Sequence, residues 1–332
     1  LHEYFKGNPH GRSPLDMLKE REPLPDYYMD KDARVALIET QGLQAVWLFP
    51  TLGVLYEELI KDDVEACAAM MTAFNRWLLE DWGYDYQDRI FGAPYIALGD
   101  VDAAAAEVDK VMASGARVLV MRPAPVTIAT GQLSPFNEYF DPVWSRINEA
   151  GVTVVIHAAD SGYDTHGYTN KATFSAAGLT KGQSAKPSYG PSLGSFAIER
   201  AAQDWLIQSV FEKLYDRFPR VRVASVENGS DFLAPMFRKF DQQVKKTFGW
   251  FDDHPSETFR EKVWINPFWE DDVNEIVELM GADHVIFGSD WPHIEGLPQP
   301  LDYLVELKEF DDADVRKIML DNVSFLNTPL PA

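Results

Sequence analysis

Short runs of Val, Ile and other apolar residues recur along this chain without the polar alternation of a half-exposed strand, and stretches of helical periodicity separate them. Runs of this kind are too brief for helices and read as strands buried on both faces. They are AVWLFPT (45–51), RIFGAPYIAL (89–98), ARVLVMRP (116–123), VTVVIHA (152–158), VRVASVEN (221–228), KVWINPF (262–268) and HVIFGSD (284–290). Helical patterns occupy 64–81, 101–114, 138–150, 196–218, 231–248, 271–280 and 314–325. Such alternation implies right-handed crossovers and a parallel sheet. An open doubly wound sheet and a closed barrel both satisfy it, but no Gly-rich phosphate loop follows an early strand, which counts against the nucleotide-binding form of the open sheet. Seven units plus one further strand expected before Leu1 give an α/β fold of the (β/α)8 TIM-like barrel type, read as a single domain over residues 1–332.

Composition narrows the function classes. With 30 Lys+Arg against 52 Asp+Glu the net charge is -22, a field that repels phosphate backbones and anionic lipid, so neither nucleic acid nor a membrane surface is expected as a partner. No stretch approaches the roughly 20 apolar residues of a membrane span. A small-molecule substrate and a homo-oligomer, a dimer, are the partners expected. The single cysteine, Cys67, excludes internal disulfides and thiolate zinc clusters, reads as a small buried hydrophobe, and fits a reducing, cytoplasmic setting. The irregular stretch 158–193, dense in Gly, Ser and Tyr, has the length of a lid or binding loop and is expected to cover the site.

In a parallel barrel the chemistry sits at the C-terminal ends of the strands. The residues found there are Thr51, Arg122, His157, Glu227, Asn266 and Asp290. Each has an ordinary alternative: Asp290 as a turn or cap residue, His157 as an interior histidine, Glu227 as an anion at a helix start. Together they converge on one rim, and imidazole with carboxylate suits a divalent ion. Arg122 reads either as a bidentate anion clamp or as an interior salt bridge to Asp290 or Glu227. Trp291 and His293 would line the pocket, although Trp291 could be plain packing. His166 is either a surface histidine or a lid contact to substrate. Gly190-Pro191-Ser192-Leu193-Gly194 matches G-x-S-x-G, yet SAKPSY before it lacks the buried strand that a nucleophile elbow needs. His2 and His10 precede the first strand, and DDADVR (311–316) is a solvated helix start.

VTVVIHA with His157, and VIFGSDWPH with Asp290 and His293, resemble the amidohydrolase-related family of the amidohydrolase superfamily, whose members include aminocarboxymuconate-semialdehyde and γ-resorcylate decarboxylases. DARVALIETQGLQAVWLFPTLG, FNRWLLEDWGYDYQDRIFGAPYIAL and DADVRKIMLDNVSFL extend the likeness over nearly the whole chain. The resemblance implies a divalent metal, zinc before manganese, with His157 and Asp290 as ligands and Asp290 also handling a proton. The family's first-strand motif, an acidic residue or His, one residue, then His, has no counterpart here and is expected upstream of Leu1. Where decarboxylase relatives place a catalytic histidine, this chain has Glu227, which becomes a second acid or base. Substrate contacts are expected from Arg122, His293, Trp291, His166 and Asn266. The implied activity is hydrolysis or nonoxidative decarboxylation of a small carboxylated or aromatic compound. A barrel that lacks metal and serves as a binding or scaffold protein is the competing reading.

Overall fold

A computed structural model of the protein describes residues 9–11, 23–50, 53–163, 196–293 and 296–331. The apolar runs form strands: β1 (Val46–Leu48), β2 (Ile90–Gly92), β3 (Val118–Met121), β6 (Thr153–His157), β7 (Arg222–Val226) and β8 (Val263–Ile265). β1 pairs with β2, and β3, β6, β7 and β8 lie side by side, all in parallel. A parallel bridge between Tyr95 and Val120 joins the two groups, and another between Ile265 and Val285 adds the next unit. Neighbours in space therefore follow chain order, the connectivity of a TIM-like barrel. β4 (Val126–Ile128) and β5 (Gly131–Leu133) form a small antiparallel hairpin in the loop after β3, which sequence reasoning did not anticipate.

Helices Val64–Asp81, Val101–Ala113, Asp141–Ala150, Ala197–Phe211, Leu233–Lys246 and Val273–Met280 fill the crossovers. Acidic N-caps start several of them. Asp63 accepts from Ala66 N, Asp100 from Asp102 N and Ala103 N, and Asp272 from Asn274 N and Glu275 N. Along each strand alternate residues enter different cores. Val118, Val120, Val155 and Ala224 join one cluster with Tyr95, Trp264 and Ile286, while Leu119, Met121, Val154, Ile156 and Val223 pack beneath the helices. Both faces are buried, which is why the runs show no polar alternation.

One expectation needs correction. HVIFGSD is not a regular strand over 284–290. Ile286 N donates to Ile265 O at 2.9 Å, but Phe287 N turns away to Ile318 O at 3.0 Å, and the Asn266 side-chain amide takes Ile286 O at 3.3 Å. A side chain replaces the backbone ladder, so pairing stops after a single bridge. Gly288 lies directly against that amide, where a Cβ would meet Asn266 Nδ2 at 2.7 Å.

Cys67 is buried, and burial first, then Glu57, pushes its thiol up to about 12, with Arg122 opposing. Iodoacetamide at pH 8 is expected to leave Cys67 intact in the folded protein and to alkylate it in urea, as mass spectrometry would report. Rapid native alkylation would contradict this placement. No helix among the described residues is long and apolar enough to cross a membrane.

Candidate metal centre and cavity

The strand ends deliver three of the expected side chains to one place. Glu227 follows β7 and Asp290 follows the Val285 bridge, both with left-handed backbone at φ 59° and φ 53°. Non-glycine residues in this region are uncommon and concentrate where side-chain placement overrides backbone comfort. Main-chain bonds close the turn around Asp290: His293 N to Asp290 O at 2.8 Å, Gly296 N to His293 O at 3.1 Å and Leu297 N to Ser289 O at 2.8 Å. Ser289 Oγ accepts from Trp291 N at 3.2 Å, the contact a capping aspartate would otherwise make. The Asp290 carboxylate instead meets His293, with Oδ1 2.8 Å from Nδ1.

Glu227 sits between two imidazoles. His157 Nε2 lies 2.9 Å from its Oε2 and His293 Nδ1 3.7 Å from its Oε1. His157 Nδ1 lies 2.9 Å from Ala158 O, a partner that can only accept, so Nδ1 carries a proton. Burial pushes the Glu227 carboxyl up, yet the neighbouring His157 and His293 imidazoles override it and hold the group at about 2. Asp290 and Glu227 raise His293 to about 10 against the opposing effect of burial. Potential ligand atoms of Glu227, Asp290 and His293 lie within 4.8 Å of one another. Two carboxylates and an imidazole in that space are a donor set for a divalent ion, and His157 joins it through Glu227.

A cavity of about 1030 Å³ opens onto this group. His157, Glu227, Asn266, Asp290, Trp291 and His293 all reach its wall, between the β1 end at Leu48 and Phe49 and the 286–293 segment. Arg122 does not. Its Nε lies 3.2 Å from Glu57 and its Nη1 2.7 Å from Glu58, and Nη1 also donates to Asp160 O at 2.9 Å. Of the two readings of Arg122, this geometry is the interior salt bridge, with Glu57 and Glu58 as partners in place of Asp290 or Glu227. Burial opposes the charge, but Glu57, Tyr95 and Glu58 more than offset it, so the guanidinium is held more firmly protonated than a free one. Asn266, on the cavity wall, is also a brace, since its Oδ1 accepts from Glu227 N at 3.4 Å while Nδ2 donates to Ile286 O. It ties the two segments that carry the acidic residues.

His166, Thr51, His2, most of the 158–193 loop and the GPSLG segment lie outside the described residues. Within the loop's described start, Asp160 O binds Arg122, and Tyr163 Oη donates to Asp204. Sequence reasoning missed Glu57 and Glu58, which sit in a short helix (Gly53–Ile60) with no motif around them. It also missed Arg34, Tyr28 and Trp82 on the cavity wall, because all three precede or flank strands instead of ending them.

Two other acidic residues, Glu199 and Asp271, are each partly buried. Burial, then Asp231, Asp271 and Glu270, raises Glu199 to about 7. Burial also raises Asp271 to about 6 despite bonds from Ser230 Oγ at 2.6 Å and Phe268 N at 3.0 Å. Folded pKa values above the unfolded ones mean that the native state binds these protons more tightly, so the stability they confer is full below about pH 4 and is lost as pH rises through 6 to 7. Glu199→Gln is expected to raise the urea midpoint at pH 8 and to leave it unchanged at pH 4.5. An equal effect at both values would contradict the assignment.

The family model for amidohydrolase matches residues 47–322. An amidohydrolase from Mycobacterium avium subsp. paratuberculosis K-10 is 37% identical, with a TM-score of 0.88, over 98% of this chain and 82% of that one. A dihydroxybenzoic acid decarboxylase from Polaromonas sp. JS666, solved with bound manganese and 2-nitroresorcinol, shares the fold at a TM-score of 0.67 and 16% identity, over 98% of this chain and 93% of that one. The 5-carboxyvanillate decarboxylase of Sphingomonas paucimobilis does so at a TM-score of 0.58 and 16% identity, over 89% of this chain and 82% of that one. No curated protein matches the sequence. On the span of the family match and the identity to the mycobacterial protein, the chain belongs to the amidohydrolase family.

Proposed function

We propose that the protein is a divalent-metal-dependent enzyme that hydrolyses or nonoxidatively decarboxylates a small carboxylated or aromatic compound. The observation that carries this reading is the convergence of Glu227, Asp290 and His293 within 4.8 Å on the wall of a large cavity. His157, Asp290, Glu227 and His293 would hold the ion, and the paired carboxylate and imidazole donors fit it. When bound, a divalent ion supplies Lewis acidity and lowers the pKa of water toward about 7. Zinc is the ion proposed for these donors, and manganese, present in the decarboxylase from Polaromonas, is the alternative.

The chain's own residues handle position and protons. His157, fixed by its Nδ1–H bond to Ala158 O, offers Nε2 toward the centre. Asp290 accepts a proton at its carboxylate and returns it to substrate, and the left-handed turn keeps that carboxylate toward His293 instead of toward its own backbone. Glu227 is the second acid or base. Trp47, Phe49, Phe74, Trp77 and Trp291 give the cavity an aromatic wall that suits a planar substrate and limits water. One barrel domain carries all of this, as a homodimer in a reducing, cytoplasmic compartment.

The test is turnover of 2,6-dihydroxybenzoate, 5-carboxyvanillate and a panel of aryl amides and esters by the zinc- and manganese-loaded protein, read as CO2 release or hydrolysis. Metal-dependent turnover that a chelator abolishes is expected. A folded protein that binds no divalent ion and turns over nothing would favour the binding or scaffold reading.

A further inference from the structure

Arg34 is the unusual cation of this cavity. It lies in the helix Lys31–Thr40, is 6% exposed, and reaches the cavity wall beside Trp291, the residue next to Asp290. Its Nε donates to Tyr27 O at 2.7 Å, and that is the guanidinium's only hydrogen bond among the described residues. Aromatic rings surround the guanidinium: Cζ lies 4.7 Å from the Trp291 ring centre, 5.6 Å from Trp82 and 5.7 Å from Tyr28. Among the described residues no carboxylate comes within ion-pair distance, and the neighbours that act on its charge are burial, which disfavours it, followed by Tyr28 and Tyr27.

A buried guanidinium ordinarily has a carboxylate partner, because desolvation costs several kcal/mol that rings alone do not recover. Arg122 in this same protein illustrates the normal arrangement, with two glutamates against it. Arg34 has the burial without the partner, and its Nη1 and Nη2 form the fork that takes a carboxylate in bidentate fashion. Ring contacts hold its plane, so little side-chain entropy is lost on binding. Trp291, whose ring lies against this group, is the chain neighbour of Asp290, and it stacks with Tyr28 at 6.0 Å between centres.

We propose that Arg34 is the anion-recognition residue of the cavity, binding the carboxylate of a planar, unsaturated acid whose body lies along Trp291 toward Asp290 and His293. The inference rests on the cavity being the substrate site, as proposed above, and it assigns Arg34 as the residue that anchors the substrate's carboxylate.

Benzoate and its neutral isostere benzamide are the probes, titrated calorimetrically into manganese-loaded wild type, Arg34→Gln and Arg34→Lys. Wild type is expected to prefer benzoate by at least tenfold. Arg34→Gln should lose that preference while its manganese affinity, measured by equilibrium dialysis, stays within twofold of wild type. Arg34→Lys, which keeps the charge but not the fork, should fall between the two and serves as the test if the Gln variant does not fold. Benzoate bound equally by wild type and the variants, benzoate held only through the metal, or no preference for benzoate over benzamide would overturn the proposal. Discrimination by Arg34 in a protein that binds no manganese would keep this inference and sink the metal-enzyme reading instead.

Discussion

Asp290→Asn is expected to lower turnover by about 10²–10⁴-fold, the range lost with a positioned acid or base, and to weaken metal binding by at least about tenfold. The substitution is chosen for its backbone. Asp290 sits at φ 53°, a conformation that asparagine tolerates as well as aspartate does. The turn is closed by main-chain groups and Ser289, so it survives the change. The contact to His293 is weakened, but both side chains are about 30% exposed, so the midpoint of urea unfolding should move little. Near-normal turnover by Asp290→Asn with its full metal complement would reduce Asp290 to a turn residue.

Arg122→Met is expected to produce the largest loss of stability, about 3–5 kcal/mol, the effect of stranding a buried partner. The guanidinium side chain is 4% exposed, and those of Glu57 and Glu58 are 10% and 9% exposed. Glu58 keeps Lys61 as a second partner, whereas Glu57 would be left with the Tyr95 hydroxyl. The double variant Arg122→Met, Glu57→Gln should therefore recover much of the loss. Urea denaturation followed by tryptophan fluorescence checks both. An unchanged midpoint for Arg122→Met would contradict the interior pairing and reopen the anion clamp.

The two arginines mark the limit of what the sequence could reveal. β1, β2, β3, β6, β7 and β8 were legible because burial on both faces leaves a mark in composition, and strand-end position then pointed to His157, Glu227 and Asp290 without any knowledge of their partners. Arg122 shared that position and its two readings stayed open, since its partners Glu57 and Glu58 lie more than sixty residues earlier on a short helix with no motif around them. Arg34 was invisible for the converse reason. Its aromatic surroundings come from Tyr28, Trp82 and Trp291, three separate stretches that only the fold brings together. The shortened seventh strand was hidden because a side chain, Asn266, interrupts the ladder, and no periodicity records such an event. Glu227 was read as an acid or base, but its place between two imidazoles, where it can also be a ligand, required coordinates.

The most direct measurement is the metal content and affinity of the folded protein, by inductively coupled plasma mass spectrometry and equilibrium dialysis against zinc and manganese. The centre built from His157, Glu227, Asp290 and His293 predicts one equivalent of divalent ion per chain, removable by chelator, restored by either metal, and lost in the His157→Ala, Asp290→Ala double variant with its circular dichroism intact. A folded wild-type protein that takes up no divalent ion, or a double variant that binds it as tightly as wild type, would contradict the account.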